Sequence, residues 1–284
     1  MAHYTIKNLR KEFATDEACL AFLFKARFTD KKCPSCKKVA KFHAIKSRKR
    51  YDCQWCGYSV FPLSGTIFHK SPTPLTDWFY AMFLFANSKN GVSAKEIERQ
   101  IGVTYKCAWR MAKQIRLLFW QHNLFLSGTV EADETYVGGR KSGKRGRGSE
   151  NKTAVFGIAK RGGRIKARVV PNVKGKTLQP IINRSVKKNS TVITDELLSY
   201  NKVGNNGYAH ETIKHAVKEY VRGKIHTNNI EGFWSQLKRS IDGTHHAVSP
   251  KHLQSYVDEF VYRYNGRKTG PLFPAILREV VRKT

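Results

Sequence analysis

The stretch of sequence that decides the fold is GTVEADETYVGG, residues 128–139. Apolar and polar residues alternate along it and it ends in two glycines, which is typical of a β-strand that leads into a loop. Side chains on a strand point alternately to its two faces, so Glu131, Asp133 and Thr135 share one face. The stretch therefore predicts a strand with acidic side chains on one side.

The residues that follow this strand predict an α/β domain. Two strand-like runs, 153–159 and 165–170, form a hairpin across a Gly-Gly turn. A helix then precedes a short strand of the buried type, residues 190–194. Asp195 stands at the carboxyl end of that strand, where ligand-binding groups commonly lie in open α/β sheets.

A later helix, residues 225–239, is predicted from an apolar stripe at helical spacing. The stripe consists of Ile230, Phe233, Trp234 and Leu237. Glu231 and Lys238 are seven residues apart and therefore lie on one side of this helix, two turns apart. The Glu231 carboxylate is then placed to reach a metal ion, and the Lys238 amine to reach a DNA phosphate, with Arg239 beside it.

Asp133, Asp195 and Glu231 together suit phosphoryl transfer on DNA. Carboxylates hold hard divalent cations such as Mg²⁺ or Mn²⁺, one cation activating the attacking hydroxyl and the other stabilising the leaving oxygen. Each acid alone is uninformative, because most Asp and Glu side chains only solvate the surface. The arrangement of a strand acid, a strand-end acid and a helical acid is what predicts a catalytic metal site.

The polar residues just before Glu231 leave alternatives open. Asn228 lies three residues before Glu231, on the same helical face, and could assist it or share the third catalytic role, as could Asn229. We favour Glu231, because a charged oxygen binds Mg²⁺ more strongly than an amide oxygen. His226 is a candidate for contact with a phosphate or with the metal site, and equally a capping or core histidine.

Two C-x-x-C pairs, Cys33 with Cys36 and Cys53 with Cys56, are separated by 16 residues rich in lysine and arginine. Each pair can bind one side of a tetrahedral ion, and the spacer can fold as a hairpin between them, so this spacing predicts a structural zinc ribbon. The alternative is two unrelated redox pairs, but neither lies in a thioredoxin-like strand–helix context. Four thiolates leave no open position for catalysis.

Residues 93–118 predict a helix-turn-helix. The first helix ends at Gly102, and Thr104 can cap a second helix that begins at Tyr105. The apolar side is assigned to Ile97, Ile101, Val103, Ala108, Trp109 and Met111. The basic side, which would contact DNA, is assigned to Lys106, Arg110, Lys113 and Arg116. The alternative is an ordinary helix pair with a solvated basic face. The preceding aromatic-rich stripe, from Leu75 to Phe85, fits core packing better than base stacking.

Composition sets the class of partner. The chain has 284 residues, with 52 Lys and Arg against 21 Asp and Glu, a formal net charge of +31. Such an excess attracts polyanions, and nucleic acid is the first candidate. We find no apolar run long enough to span a bilayer and no secretory signal, so we expect a cytoplasmic protein at the nucleoid. The Gly-rich, charged stretch 140–152 is expected to be either a solvated connector or a loop that contacts phosphates.

The motifs together resemble a known family. The four cysteines, DETYVGG at 133–139, Thr194-Asp195 and HTNNIEGFWS at 226–235 with Lys238 are similar to bacterial insertion-sequence transposases of the ISXO type. This resemblance covers nearly the whole chain. It implies an N-terminal zinc ribbon and an Asp-Asp-Glu catalytic domain of the RNase-H-like fold. It also implies Mg²⁺-dependent cleavage at terminal inverted repeats, transfer of 3′ ends to target DNA, and a dimer or larger assembly on paired ends.

The resulting fold expectation is an α+β multidomain chain with a mixed sheet in its catalytic domain. The expected parts are an N-terminal helical segment at 1–30, a zinc ribbon at 31–70, a helical DNA-binding region at 72–126 and an RNase-H-like domain at 128–284. Two other functions stay open beside transposition. One is a DNA-binding regulator with an inert C-terminal domain, against which the intact acidic triad speaks. The other is a structure-selective nuclease on the same catalytic fold.

Overall fold

The chain divides into two compact units in the computed structural model. One contains residues 1–88, 92–118 and 270–284, and the other contains residues 89–91 and 119–269. The structure describes residues 4–30, 32–120, 124–138, 152–213 and 226–282. Nearly all of the stretch 140–152 lies outside these ranges. Within them, no helix combines the length and the apolar character needed to cross a bilayer.

The elements of the described residues follow in chain order. The helices are α1 (Ile6–Glu12), α2 (Asp16–Arg27), α3 (Leu75–Asn87), α4 (Ala94–Ile101), α5 (Tyr105–Leu117), α6 (Gly175–Asn183), α7 (Asn228–Ser240), α8 (Pro250–Gly266) and α9 (Leu272–Arg282). The strands are β1 (Phe42–Ile45), β2 (Arg50–Cys53), β3 (Ser59–Val60), β4 (Thr129–Val137), β5 (Thr153–Lys160), β6 (Ile165–Val170), β7 (Thr191–Thr194) and β8 (Ala209–Thr212).

The first unit is built around the aromatic helix α3. Trp78, Phe79 and Phe85 are all buried, which confirms that this stripe is core. Helix α9 packs against α2 and α3, and its Phe273 ring contacts the rings of Phe13 and Phe79. The last helix therefore belongs to the first unit, although the sequence suggested a catalytic domain that extends to residue 284. The apolar face of α9 packs against aromatic side chains that lie far away in the sequence.

Strands β1, β2 and β3 form a small antiparallel sheet in the first unit. Its own core is minimal: Cys33, Ala40 and Cys53 are buried, with Cys36 and Phe42 packed against them. Phe24 of α2 stacks on Tyr51 of β2, with ring centroids 4.0 Å apart. A sheet this small buries little apolar surface, so its folding depends on its cysteines.

The two helices of the predicted helix-turn-helix, and the turn between them, are present. Ser93 caps α4, Gly102 ends it with a left-handed φ of 80°, and the Thr104 side chain caps α5. A left-handed φ is strained for residues with a Cβ, which explains glycine at this position. Two side-chain assignments were wrong. Arg116 is buried and donates to the Val92 carbonyl, whereas Trp109 is exposed.

The second unit contains a five-stranded mixed sheet in the order β6-β5-β4-β7-β8. β5 lies between β4 and β6 and runs antiparallel to both, whereas β4, β7 and β8 run parallel. The predicted hairpin is β5 and β6, and the predicted strand before Asp195 is β7. The mixed sheet expected of the RNase-H-like fold is thereby confirmed.

Helices cover both faces of this sheet. Leu178 and Ile182 of α6 pack on one face together with Val130, Ala132 and Phe156. α7 and α8 pack on the opposite face, where they contribute Ile230, Phe233, Trp234, Leu237, Leu253 and Val257. This two-sided burial fixes β4 in the middle of the domain. A residue of β4 consequently faces α6 or α7 according to whether its number is even or odd.

Candidate functional site

The sheet brings Asp133 and Asp195 together. β4 and β7 pair in parallel, with Glu131 opposite Ile193. Two residues further along each strand, this register sets Asp133 beside Asp195, which immediately follows β7. Carboxylate oxygens of Asp133, Glu134 and Asp195 all lie within 4.8 Å of one another. The two aspartates expected from the sequence therefore belong to one acidic cluster.

Glu134 is the member of this cluster that the sequence analysis missed. It points to the α6 face of β4, where its Oε2 accepts the Tyr200 hydroxyl at 2.7 Å. Alternation placed it on the other face from Asp133 and so gave no reason to group the two. Asp133 and Glu134 are adjacent in the middle of β4, and their carboxylate oxygens nevertheless come within 4.8 Å of each other.

Burial and charge act together on Asp133. Its pKa is raised from 3.8 to about 7, first by desolvation and then by the charges of Glu134 and Asp195. Two hydrogen bonds, from the Glu134 backbone and the Trp234 indole, oppose this rise. Carboxylates so close together repel one another until a cation neutralises them. The oxygen-rich, half-buried cluster therefore fits a divalent metal ion of the Mg²⁺ or Mn²⁺ type.

Glu231, the expected third acid, is not in the cluster. It is exposed in the first turn of α7, where its Oε1 accepts the Thr227 hydroxyl at 2.5 Å. The neighbouring Asn228 is exposed, whereas the Asn229 amide donates to Glu131 Oε1 at 2.7 Å. The helix thus brings Glu231 to the same face of the sheet as Asp133 without joining the two carboxylates.

Glu131 anchors the amino end of α7 on β4. Its side chain is fully buried, and its Oε2 accepts the backbone N–H groups of Asn229 and Ile230 at 2.8 and 3.1 Å. Its Oε1 accepts from Arg161 Nε at 3.0 Å and lies 3.5 Å from His226 Nδ1. A carboxylate at this position also complements the helix dipole. His226 therefore faces Glu131 rather than the acidic cluster.

The four ribbon cysteines form the second ligand group. Their sulfur atoms lie within 4.8 Å of one another, with Cys33 to Cys56 at 3.6 Å and Cys36 to Cys53 at 4.0 Å. Tetrahedral zinc with Zn–S bonds of about 2.3 Å sets its sulfurs about 3.8 Å apart. The cysteines are free rather than paired in disulfides. The group therefore fits a structural zinc ion.

Two protein-family models match this chain. Residues 125–265 match the model of the ISXO2-like transposase domain. Residues 14–59 match the model of the transposase zinc-ribbon domain. The chain belongs to the ISXO2-like transposase family. The two matched segments cover about two thirds of this transposase and include its acidic cluster and all four ribbon cysteines.

Two relatives and one solved structure have names that refer to transposition. An uncharacterised protein in transposable element ISH50 of Halobacterium salinarum is 28% identical over 252 residues, which are 81% of this transposase and 84% of the relative. An uncharacterised transposase-like protein of Haemophilus influenzae is 31% identical over 114 residues, covering 40% of this chain and 90% of the relative. The crystal structure of a pre-cleavage Mos1 transpososome aligns with 72% of this chain and 78% of that chain. Its TM-score of 0.28 and identity of 10% are too low to bear on the fold.

Five of the basic residues expected to contact DNA lie on the surface of this transposase. Lys106, Arg110 and Lys113 are exposed on α5, and Lys238 and Arg239 are exposed in the last turn of α7. On α5 the basic groups alternate with exposed Tyr105 and Trp109. The Lys113 ammonium lies 5.4 Å from the Trp109 ring centroid. The exposed side of this helix is therefore both cationic and aromatic, a composition suited to a DNA groove.

Proposed function

We propose that this protein is a DNA transposase that binds the terminal inverted repeats of its element, cleaves them and joins the 3′ ends to target DNA. The observation that carries the proposal is that Asp133, in the middle of β4, meets Asp195, just after the end of the parallel strand β7, in a chain of the transposase family. Divalent cations held there would activate the attacking hydroxyl and stabilise the leaving oxygen. We propose Mg²⁺ or Mn²⁺ as these cations and structural Zn²⁺ in the ribbon.

Asp133 and Asp195 would hold the cation, and Glu231 is proposed as the third catalytic acid. Helix α7 is hydrogen-bonded to β4 on both sides of Glu231. The Ile230 N–H donates to Glu131, and the Trp234 indole donates to Asp133. Glu231 therefore lies on the helix that is bonded to Asp133, and its contact with Thr227 would have to open for it to join the cluster. Glu134 already lies in the cluster and is the competing third acid.

The basic surfaces suit the proposed substrate. Exposed Lys106, Arg110 and Lys113 on α5 would contact the element ends, and Lys238 with Arg239 would contact phosphates near the catalytic helix. Pairing of two ends requires at least two copies of the chain, so we propose a dimer or larger assembly on double-stranded DNA. Such an enzyme acts at the nucleoid in the cytoplasm.

A strand-transfer assay tests the proposal. The purified chain would be incubated with Mg²⁺ or Mn²⁺, a target plasmid and labelled element ends taken from the DNA that flanks the gene. Joined product is the expected result. Cleavage without joining would indicate a nuclease, and binding without cleavage would indicate a regulator.

Asp133→Asn is the first diagnostic variant. It preserves shape and removes the charge that binds the cation, so cleavage should fall by about 10²–10³-fold or more. Binding to end DNA, measured by gel shift, should stay within about twofold because the basic surfaces are intact. Cleavage at the wild-type rate would refute the assigned metal site.

Glu231→Gln and Glu134→Gln, compared in parallel, identify the third acid. The proposal expects the larger loss of cleavage in Glu231→Gln, with both variants binding DNA normally. The opposite ranking would assign the third role to Glu134.

A further inference from the structure

Gly157, which has no side chain, lies directly beside Asp133 in the sheet. The two residues are partners in the antiparallel pairing of β4 with β5. A Cβ at Gly157 would lie 2.6 and 2.7 Å from two ring atoms of Trp234 and 2.9 Å from Ile230 Cδ1. These distances are far below van der Waals contact. Glycine is therefore required here by the indole ring that lies over it.

The indole ring of Trp234 occupies the space over Gly157 and also contacts the acidic cluster. Trp234 is 4% exposed, and its Nε1 donates to Asp133 Oδ2 at 3.0 Å. An indole N–H is a donor only and its position is fixed by the ring. The ring in turn packs among Ile230, Phe233 and the sheet. The donor of the hydrogen bond to Asp133 is therefore a rigid, buried group.

We propose that Trp234 is a positioning residue, whose indole N–H orients the Asp133 carboxylate for divalent-cation binding, and that Gly157 is glycine in order to admit this ring. The inference rests on the proposed function, since it assumes that Asp133 binds the cation. Carboxylates that bind metal ions are commonly held by a neighbouring donor, and loss of that donor typically lowers metal affinity 10- to 100-fold. The competing explanation is that Trp234 only fills the core.

Substitution of Trp234 by phenylalanine separates these explanations, because it keeps a buried aromatic ring and removes the N–H. Trp78→Phe is the matched control: Trp78 is also buried, and its Nε1 donates to Ser71 Oγ at 3.0 Å. Both variants lose an indole and one hydrogen bond, but only Trp234 contacts the acidic cluster.

Mn²⁺ binding to the zinc-loaded, full-length chain is the readout, measured by calorimetry without DNA. We expect Trp234→Phe to weaken Mn²⁺ binding by about 10-fold or more, and Trp78→Phe to change it by less than about twofold. Mn²⁺ affinity of Trp234→Phe within about twofold of wild type would overturn the proposal. Asp133→Asn in the same titration tests the metal site itself: unchanged Mn²⁺ binding there would refute the proposed function rather than the role of Trp234.

Gly157→Ala supplies a second test, in which the Trp234 side chain itself is unchanged. The added methyl group displaces the indole, so both the Tm and the Mn²⁺ affinity should fall. In the Gly157→Ala/Trp234→Phe double variant the smaller ring relieves the clash, so the Tm should partly recover while the Mn²⁺ affinity stays low. Recovery of both quantities would show that packing alone matters and would overturn the proposal.

Discussion

Neighbouring acidic residues on β4 differ in role because their side chains lie in different surroundings. Glu131 is fully buried, and its carboxylate accepts hydrogen bonds from the amino end of α7 and from Arg161. Asp133, two residues on, is half-buried, and its pKa is raised to about 7, first by burial and then by the charges of Glu134 and Asp195. A buried carboxylate surrounded by donors is a structural anchor, whereas one surrounded by other carboxylates is suited to bind a cation. Residue type alone does not separate the two roles.

Glu131→Gln is expected to destabilise the protein by about 3 kcal/mol. Removing one partner of a buried ion pair costs about 3–5 kcal/mol, and the lower end applies because the Arg161 side chain is 22% exposed. The amide also replaces one acceptor oxygen with an NH₂ group, which sets a donor against N–H donors. Urea unfolding measures the change. Glu98→Gln, which breaks an exposed pair with Lys95, should cost less than about 1 kcal/mol. An equal cost for both would contradict the anchoring role of Glu131.

The zinc ribbon is the element whose folding depends most on a ligand. Its buried side chains are few and include two of the four cysteines. We expect chelation of zinc, or the Cys33→Ser/Cys53→Ser variant, to unfold residues 31–70 and to weaken end binding by at least about 10-fold. Zinc content, circular dichroism and gel shift measure these effects.

Cys19→Ala is the control for the ribbon. Cys19 is a buried cysteine of α2 outside the four-cysteine group, so its loss should leave the zinc content unchanged. Unchanged end binding after loss of zinc would show that the ribbon has no part in DNA recognition.

Elements with a local signal were predictable, and contacts between distant elements were not. The α4–Gly102–α5 turn, the β5–β6 hairpin and the strand before Asp195 follow from caps, glycines and alternation within a few residues. The packing of α9 on α3, the burial of Arg116 and the approach of Glu134 to Asp133 depend on tertiary neighbours. The proposed role of Trp234 was likewise not predictable. Its helical spacing identified a core residue, but its hydrogen bond to Asp133 depends on Gly157, 77 positions earlier in the sequence.

At the scale of the whole molecule, the net charge of +31 dominates. Like charges oppose compaction, so this excess works against stability and is explained by a polyanionic partner. Neutralising DNA phosphates releases counterions, which makes affinity depend on salt in proportion to the number of contacts. The charge therefore yields a quantitative expectation for DNA binding.

We expect the affinity for element ends to fall by about 10³–10⁵-fold between 50 and 200 mM salt, as for about 6–10 phosphate contacts. Replacing Lys106, Arg110 and Lys113 with alanine should reduce the slope of log affinity against log salt by about three, one for each lost contact. The matched control removes three exposed charges from α1 instead, with Lys7, Arg10 and Lys11 replaced by alanine. If both triple variants lowered the slope equally, the charge would act as a diffuse field. A decrease confined to the α5 variant would place the DNA contact on the second helix of the helix-turn-helix.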